Sequence, residues 1–416
     1  MDRVDQRGFD NQRSDLLSAP EAARMLGVKL ETLYAYASRG LLRSERGPSG
    51  TGRRYARSEV ERLKARREAR AGHGPVAAGA LRWGEPVLST AISSIRADGP
   101  AYRGHSAVAL ARAGEPFESV AELLWSGALD RNTSFAGRVA FDALKRIRFT
   151  DFGRHPPLPS LLALVPRLSL VDGDRFGAAP EAERVRARTL VRAMVLSLAR
   201  DARTAESAAA AESVAESMAI ALGAPRRARE PLNLALSLLA DHELNASTFA
   251  ARVVASTGAD LYAAVTGGLA ALSGPLHGAF SDRVEAFLDE VGTPERAREM
   301  VQARASRGEA VPGFGHPLYP DGDPRVPPLL EAAERMERAK PRARVAFAVI
   351  AAMQRAGQRP PNVDFGLVAL VRALGLSRGS GAAIFAIGRT AGWIAHALEQ
   401  RAAGFLLRPR AEYTGP

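Results

Sequence analysis

The sequence predicts an all-α protein preceded by a small basic module, and three observations support this. Beyond about residue 87, apolar residues recur at spacings of three and four, as the buried face of a helix requires. Alternating patterns typical of strands are nearly absent from that region. The segment before it combines short helical patterns with a glycine-rich basic stretch. Because 416 residues exceed the usual size of one domain, we expect more than one hydrophobic core.

The composition excludes several classes of protein. Cysteine is absent, which excludes disulfides and thiolate metal ligands and favours the reducing cytoplasm. The chain has no run of about 18 apolar residues, so we expect no transmembrane helix. Residues 1–15, which we assign to an N-terminal tail, are polar and lack the apolar core of a secretory signal. We therefore expect a cytoplasmic protein that does not act at a membrane.

The basic module begins with a clear helix start. Ser18 can act as the N-cap, Pro20 suits the first turn, and Glu21 completes a capping box. Gly27 ends this helix. We expect a second short helix that ends at Gly40. A basic hairpin with the sequence LLRSERGPSGTGRRY follows, and a third helix begins after it with Ser58 as its cap.

Positive charge is concentrated in this module. The chain has a formal net charge of +12, and residues 22–70 contain 13 Lys or Arg against 5 Glu. A concentrated basic segment indicates a polyanionic partner more strongly than an evenly spread excess does. The series EAARMLGV, TLYAYASRGLL and RRY resembles the winged helix-turn-helix of MerR and excisionase-type DNA-binding domains over residues 16–70.

That resemblance implies that the second helix enters the major groove of DNA while the hairpin contacts phosphates. The candidate DNA-contacting residues are Lys29, Thr32, Tyr34, Tyr36 and Arg39 on the helix and Arg43, Arg46, Arg53 and Arg54 on the hairpin. The alternative is a helical module that docks on its partner domain and touches no nucleic acid. In that case Leu33 or Tyr36 belongs to the core of the module.

Residues 71–86 are rich in glycine and alanine and show no apolar periodicity, so we expect a linker. Residues 87–416 are then the helical domain. The chain has no GxGxxG or GxxxxGK[ST] element, which argues against nucleotide-dependent redox or phosphoryl chemistry. No cofactor is implied.

Two histidines of the helical region, His277 and His316, lie among glycines and prolines that fix the backbone and let a ligand approach closely. Asp364 follows PPNV, and His242 lies in DHELNAST. Each residue alone is more often a surface or capping residue. Together, two imidazoles and a carboxylate suffice to remove a proton next to a carbonyl group while a donor stabilises the developing charge. No HExxH motif or closely paired histidines occur, so we expect no metal site.

From about Leu81 to the C-terminus, the chain resembles citrate synthase. The matching motifs are STAISSI and YRGHSAVALA (89–111), FESVAELLWSG (117–127), DHELNAST (241–248), GPLHGAF (274–280), VPGFGHPLYPDGDPR (311–325), PNVDFG (361–366), GRTAGWIAHALEQ (388–400) and RPRAEYTG (408–415). The resemblance implies an all-α subunit of two domains that forms a homodimer. A small domain at roughly 278–380 would be inserted in the large domain and close over the substrates.

The same resemblance implies a role for each matching residue. His277 would hold the thioester oxygen of acetyl-CoA, Asp364 would remove the methyl proton, and His316 would polarise and protonate the keto group of oxaloacetate. The residues implied to bind oxaloacetate are His242, Arg325, Arg389 and Arg408, the last from the partner subunit. The loop implied to bind CoA consists of Val311, Pro312, Gly313, Phe314 and Gly315. Arginine suits a dicarboxylate because its planar donors bind carboxylates bidentately.

The expected activity is the condensation of acetyl-CoA and oxaloacetate to citrate in the tricarboxylic acid cycle. Phe280, Ser281 and the prolines Pro317 and Pro320 depart from the residues common in the family, which leaves the acyl group open. Propionyl-CoA, used by 2-methylcitrate synthases, needs only slightly more apolar room, and one methylene is worth about 1–3 kcal/mol. A second alternative is a DNA-binding regulator that senses metabolites on a citrate synthase scaffold.

Overall fold

The computed structural model describes residues 16–38, 41–42, 44–46, 53–57, 59–61, 63, 88–278, 280–337, 343–411, 413 and 415. It divides into two compact units, Met1–Ser89 and Thr90–Pro416. The predicted linker at residues 71–86 lies outside the described residues, as do Arg39, Gly40, Arg43 and Ser58.

The first unit contains two helices and a small sheet. Its elements are β1 (Leu16–Ser18), α1 (Ala19–Leu26), α2 (Leu30–Ser38), β2 (Ser44–Arg46) and β3 (Arg53–Ala56). The strands are antiparallel in the order β1-β3-β2, so the predicted hairpin is confirmed. The predicted start of α1 is also confirmed: the backbone N–H of Ser18 donates to the Glu21 carboxylate at 2.8 Å. Gly27 ends α1 with φ of +62°, a left-handed conformation that favours glycine.

The second unit is predominantly helical. Its strands are β4 (Ser93–Arg96), β5 (Gly99–Tyr102) and β6 (His105–Ser106). Its helices are α3 (Ala107–Arg112), α4 (Phe117–Ser126), α5 (Val139–Arg146), α6 (Pro157–Leu168), α7 (Pro180–Leu196), α8 (Ala202–Ala209), α9 (Val214–Ala221), α10 (Arg229–Leu239), α11 (Ala246–Ser256), α12 (Leu261–Leu272), α13 (Phe280–Val291), α14 (Ala297–Ser306), α15 (Val326–Glu337), α16 (Arg344–Arg355), α17 (Val363–Leu374) and α18 (Ser380–Ala403). None of these described helices is long and apolar enough to cross a membrane.

The helix α18 forms the centre of the second unit and is buried over most of its length. It packs against α4, α6, α7, α10, α11 and α12. Gly392 allows its closest approach, because its N–H donates to the carbonyl of Ala240 at 2.9 Å. A Cβ at Gly392 would lie 2.2 Å from Oδ1 of Asp241. Close packing therefore holds α18 against the segment that carries His242.

The sheet of β4, β5 and β6 was not predicted from the sequence. Its strands have two to four residues, which is too short to show an alternating pattern. Its antiparallel turns need left-handed backbone, which Gly99, Arg103 and Gly104 adopt with φ of 112°, 48° and 91°. The hydroxyl of Tyr102 then donates to the carbonyls that end α10 at 3.0 and 3.2 Å, and this anchors the sheet next to His242.

Candidate active site

A loop of five residues, Val311–Gly315, lies against the segment that leads into α17. The backbone N–H of Gly315 donates to the carbonyl oxygen of Pro360 at 2.8 Å. The N–H of Asn362 donates to the carbonyl oxygen of Gly313, also at 2.8 Å. These two hydrogen bonds hold the loop beside the first turn of α17.

Gly313 makes this close packing possible. Its φ is +82°, and a Cβ at this position would lie 2.7 Å from Cγ2 of Val284 and 2.9 Å from Cβ of Phe365. The ring of Phe314 packs on the ring of Phe365 with centroids 4.7 Å apart. Glycine is therefore needed here for its backbone conformation and for the absence of a side chain.

His316 follows the loop directly. Its Nδ1 accepts a hydrogen bond from the backbone N–H of Leu318 at 3.1 Å. Burial and the nearby charge of Arg325 lower the pKa of His316 from 6.5 to about 4. The ring is therefore neutral near pH 7 with its proton on Nε2, and this N–H can donate to a carbonyl oxygen.

His242 and Tyr319 pack against His316. The centroids of the rings of His242 and His316 are 5.4 Å apart, and those of His316 and Tyr319 are 4.9 Å apart. Nε2 of His242 lies 3.1 Å from the hydroxyl of Tyr319. Burial, together with the charges of Arg325 and Arg389, lowers the pKa of His242 well below its usual range. Burial also raises the pKa of Tyr319 to about 12, so its hydroxyl keeps its proton.

Arg325 is 2% exposed and forms a bidentate ion pair with Asp323. Its Nε lies 2.9 Å from Oδ1 and its Nη2 lies 2.8 Å from Oδ2. Asp323 also accepts a hydrogen bond at 3.2 Å from the backbone N–H of Val363, the first residue of α17. Although burial opposes it, the paired carboxylate raises the pKa of Arg325, so the guanidinium stays charged. One buried carboxylate thus joins Arg325 to the N-terminus of α17.

Asp364 is the second residue of α17 and is half-buried. Its backbone N–H donates at 3.1 Å to Oδ1 of Asn362, the N-cap of the helix. The hydroxyl of Ser281, on α13, donates to Oδ1 of Asp364 at 2.8 Å. Burial raises the pKa of Asp364 from 3.8 to about 6, although the hydrogen bond from Ser281 lowers it. The carboxylate is therefore ionised at pH 7 and more basic than an ordinary aspartate.

His277 lies in the turn after α12, where its N–H donates to the carbonyl of Gly274 at 3.0 Å. Its Nε2 accepts a hydrogen bond from the backbone N–H of Ser247 at 3.3 Å and lies 2.8 Å from the hydroxyl of Ser247. That hydroxyl is itself held at 3.1 Å by Nε1–H of Trp393. Burial and the charge of Arg389 lower the pKa of His277 from 6.5 to about 4. The neutral ring therefore carries its proton on Nδ1.

Arg389 lies in the third turn of α18 and is 2% exposed. Its Nε donates to the carbonyl of Leu239, at the end of α10, at 2.8 Å. Burial lowers the pKa of Arg389 to about 10. Its charge in turn contributes to lowering the pKa of His277, of His242 and of Asp364, so all three groups lie within electrostatic reach of this guanidinium. Among the described residues, no three His, Asp or Glu side chains form a set that could hold a metal ion.

Comparison with known families assigns both parts of the chain. The family described as Citrate synthase, C-terminal domain matches residues 80–410. The chain belongs to the citrate synthase family. The family described as Helix-turn-helix domain matches residues 16–68. Both resemblances noted in the sequence are confirmed.

Individual members of the citrate synthase family show the extent of the similarity. Citrate synthase 2 of Bacillus subtilis is 40% identical over 190 residues, which are 45% of this chain and 51% of that protein. A 2-methylcitrate synthase of Mycobacterium tuberculosis is 42% identical over 181 residues, 43% of this chain and 46% of that protein. The chain thus spans about half the length of the curated relatives it matches.

A solved structure of the family covers more of the chain. It is the citrate synthase of the archaeon Thermoplasma acidophilum in a ternary complex with carboxymethyl coenzyme A and oxaloacetate. The TM-score is 0.64 at 26% sequence identity, over 80% of this chain and 94% of that chain. The predicted all-α citrate synthase fold is therefore confirmed.

The structure of this citrate synthase family member brings together all but one of the residues predicted for catalysis and oxaloacetate binding. The residues that converge are His242, His277, His316, Arg325, Asp364 and Arg389. Arg408 is exposed beyond the end of α18 and forms no hydrogen bond to this cluster among the described residues. The role of Arg408 in a partner subunit therefore stays a prediction.

Several contacts within the cluster involve residues that the sequence analysis did not assign. Asp323 binds Arg325, Ser281 binds Asp364, Tyr319 packs on His316, and Ser247 binds His277. The spacing of Asp323 and Arg325, two residues apart in DGDPR, was the one available signal for such a pair. The other three contacts join residues 30 to 83 positions apart or depend on ring packing, so no local pattern reveals them.

In the first unit, the predicted DNA-contacting residues differ in exposure. Lys29 and Arg53 are exposed, Tyr34 is 46% exposed, and Thr32 and Arg54 are half-buried. Leu33 is buried in the core of the unit and Tyr36 packs against that core, which is the environment that the alternative interpretation predicted for them. Tyr36 is therefore a poorer candidate for DNA contact than Tyr34.

Proposed function

We propose that the second unit condenses an acyl-CoA with oxaloacetate. With acetyl-CoA the reaction forms a carbon–carbon bond between the methyl carbon and the keto carbon, and water then releases CoA from the thioester to give citrate. The observation that supports this most directly is Asp364, a half-buried carboxylate with a pKa near 6, among neutral imidazoles and buried guanidinium groups.

The first step is removal of a methyl proton by Asp364. A carboxylate is a weak base for such a proton, so the enolate must be stabilised as it forms. Nδ1–H of His277 supplies the donor, because Nε2 is occupied by Ser247 and the low pKa keeps the ring neutral. A neutral imidazole suits this role, since it can donate to the oxyanion without losing its proton to Asp364.

The second step is attack of the enolate on the keto carbon of oxaloacetate. Nε2–H of His316 donates to the keto oxygen and transfers its proton as the alkoxide forms. The ring then regains, through water, the proton that Asp364 took from the methyl group, so that both residues return to their starting forms. His242 orients the keto acid beside it. Arg325 and Arg389 bind the carboxylates, and both remain charged although they are buried.

The loop Val311–Gly315 is proposed to bind CoA. Its backbone is fixed by Pro360 and Asn362, so the groups that contact the ligand need no ordering on binding. The region at about 278–380, which contains this loop, His316 and Asp364, is proposed as the small domain that closes over the substrates. We further propose a cytoplasmic homodimer in which Arg408 reaches the site of the partner subunit.

The acyl group is proposed to be acetyl, with propionyl as the alternative. Similarity to both a citrate synthase and a 2-methylcitrate synthase supports this pair of candidates. The test is CoA release from acetyl-CoA and from propionyl-CoA in the presence of oxaloacetate, with Asp364→Asn as the inactive control. A higher kcat/KM for acetyl-CoA is expected. A higher value for propionyl-CoA selects the alternative, and no CoA released from either substrate contradicts the proposed condensation.

We propose DNA binding as a second function, carried by the first unit. Its helix-turn-helix match, the exposed Lys29 and Arg53 and the exposed ring of Tyr34 support this. Loss of catalysis would leave a metabolite-sensing regulator. In a salt-dependent gel shift on promoter DNA, Lys29→Glu combined with Arg53→Glu should weaken binding without changing CoA release. Equal binding by this variant and the unaltered protein would indicate that the unit docks on protein instead.

A further inference from the structure

A cleft of about 960 Å³ lies in the second unit, away from the cluster around Asp364. Four segments line it: residues 153–160, 197–207, 220–223 and 377–378. The last of these follows the C-terminus of α17, whereas Asp364 lies at its N-terminus. Because a twelve-residue helix is about 18 Å long, the cleft and the proposed active site lie at opposite ends of α17.

Two glycines fix the segments around the cleft. Gly153 has φ of +56°, and a Cβ there would lie 2.9 Å from Cα of Arg200. Gly379 has φ of +82°, and a Cβ there would lie 3.0 Å from Cδ of Pro157. At both glycines the backbone packs directly against a neighbouring segment. The residues next to them, Arg154 and Arg378, therefore have a fixed backbone position at the cavity.

The charge of the lining is strongly positive. Its ionisable side chains are Arg154, His155, Arg200, Arg203 and Arg378 against the single carboxylate of Asp201. That carboxylate is already engaged, because it accepts the backbone N–H of Thr204 at 2.7 Å as the N-cap of α8 and lies 3.3 Å from Nε of Arg200. Arg154 and Arg203 form no ion pair within the part of the chain that the structure describes. Arg378 lies 3.8 Å from Asp289, outside the lining. The cleft therefore holds two arginines, Arg154 and Arg203, whose charge no neighbouring carboxylate in the described part of the chain neutralises.

We propose that this cleft binds a small molecule with two or more phosphate groups. Arginine binds phosphate bidentately, and four guanidinium groups from three segments match a chain of linked phosphates better than a single anion. The volume lies within the range of roughly 300–1,000 Å³ typical of small-molecule sites. None of the lining residues belongs to the proposed active site, so the proposal does not depend on the proposed condensation.

The probe for this site is inorganic triphosphate, with binding measured by titration calorimetry on the full chain. No CoA is added, because its own phosphates would compete for the cleft, and the cleft variants with their control separate binding in the cleft from binding at the predicted CoA loop. Arg200→Glu combined with Arg203→Glu should weaken binding by at least about tenfold, because two cations become anions. The matched control is Arg298→Glu, an exposed arginine on α14, which should change the Kd by less than about twofold.

Two single variants, Arg154→Gln and Arg203→Gln, remove one charge each from exposed side chains and should weaken binding in the same direction. Adenosine without phosphates should not compete. The proposal is overturned if triphosphate fails to bind at millimolar concentration, if the cleft variants bind as tightly as Arg298→Glu, or if adenosine competes. Heat of binding is independent of turnover, so the result holds whether or not CoA is released.

Discussion

At the scale of single residues, His277 has one ring nitrogen held by Ser247 and the other left to donate. We expect His277→Ala to lower kcat by about 100- to 1,000-fold, because one donor to the developing oxyanion is lost. Steady-state CoA release with saturating substrates measures this, and an unchanged melting temperature controls for folding. A variant with near-normal kcat would remove His277 from the mechanism.

The pH dependence of activity should follow Asp364. This carboxylate accepts a proton only when ionised, and its pKa is raised to about 6, whereas His277 and His316 have pKa values lowered to about 4. The value of kcat/KM should therefore fall about tenfold per pH unit below pH 6. The two histidines become protonated only near pH 4, which is too low a pH to cause that decrease. A half-point near pH 4 would therefore contradict the assignment of the decrease to Asp364.

Ser281 provides a control for this pH profile. Its hydroxyl donates to Asp364 and favours the ionised form. Ser281→Ala should therefore move the decrease in kcat/KM to higher pH and lower the rate at pH 7. Ser217→Ala removes another buried hydroxyl, which donates to the carbonyl of Ala208 far from the cluster, and should leave the profile unchanged.

The residues that could be predicted from the sequence are those with chemically distinctive side chains in distinctive local backbone. Glycine and proline around His277 and His316 indicated that each ring is held rigidly, and both rings do lie in fixed turns. Asp323 and Ser281 were missed because their importance comes from partners in three dimensions. A serine in a helix and an aspartate in a turn look the same whether or not a functional residue lies beside them.

At the scale of elements, the loop Val311–Gly315 depends on one glycine. Gly313→Ala should lower the melting temperature and raise KM for the acyl-CoA, because the new Cβ would clash with Val284 and Phe365 as well as strain the backbone. The expected cost is about 1–3 kcal/mol.

Gly308→Ala is the matched control for that loop variant. Gly308 also has positive φ, +69°, but nothing lies within 4 Å of a Cβ added there. Gly308→Ala should therefore lose only the stability that backbone strain costs, which is a smaller loss than in Gly313→Ala. Its KM for the acyl-CoA should be unchanged. Equal effects of the two variants would show that packing of the loop against α17 contributes nothing.

At the scale of the whole molecule, the exposed Arg408 raises the question of whether it acts in the site of a partner subunit. If the protein forms the proposed homodimer, Asp364→Asn and Arg408→Ala should each be inactive on their own. If Arg408 acts in the partner's site, the mixed dimer contains one site with both residues intact, and mixing should restore about a quarter of full activity. Activity that is not restored after subunit exchange would place Arg408 in the site of its own chain or outside it.

The sequence supports the division into a basic module and a helical domain, since charge and periodicity change together along the chain. The family matches agree with that order. The convergence of His242, His316 and Arg389 could not be predicted in this way, because it requires Gly392 to let α18 pack against the backbone of Ala240 and the side chain of Asp241. Helical periodicity indicates which face of a helix is buried and leaves open which neighbour covers it.

Asp323 connects the proposed keto-acid site to the helix of the proposed base, and this affects how the site could be redesigned. Its carboxylate pairs with Arg325, the arginine proposed to bind the keto acid, and also accepts an N–H at the start of α17, which carries the proposed base Asp364. A redesign that enlarges the proposed keto-acid site or changes its charge would therefore also displace Asp364. Variants selected to use an electrophile other than oxaloacetate should therefore regain their rate through additional substitutions around α17.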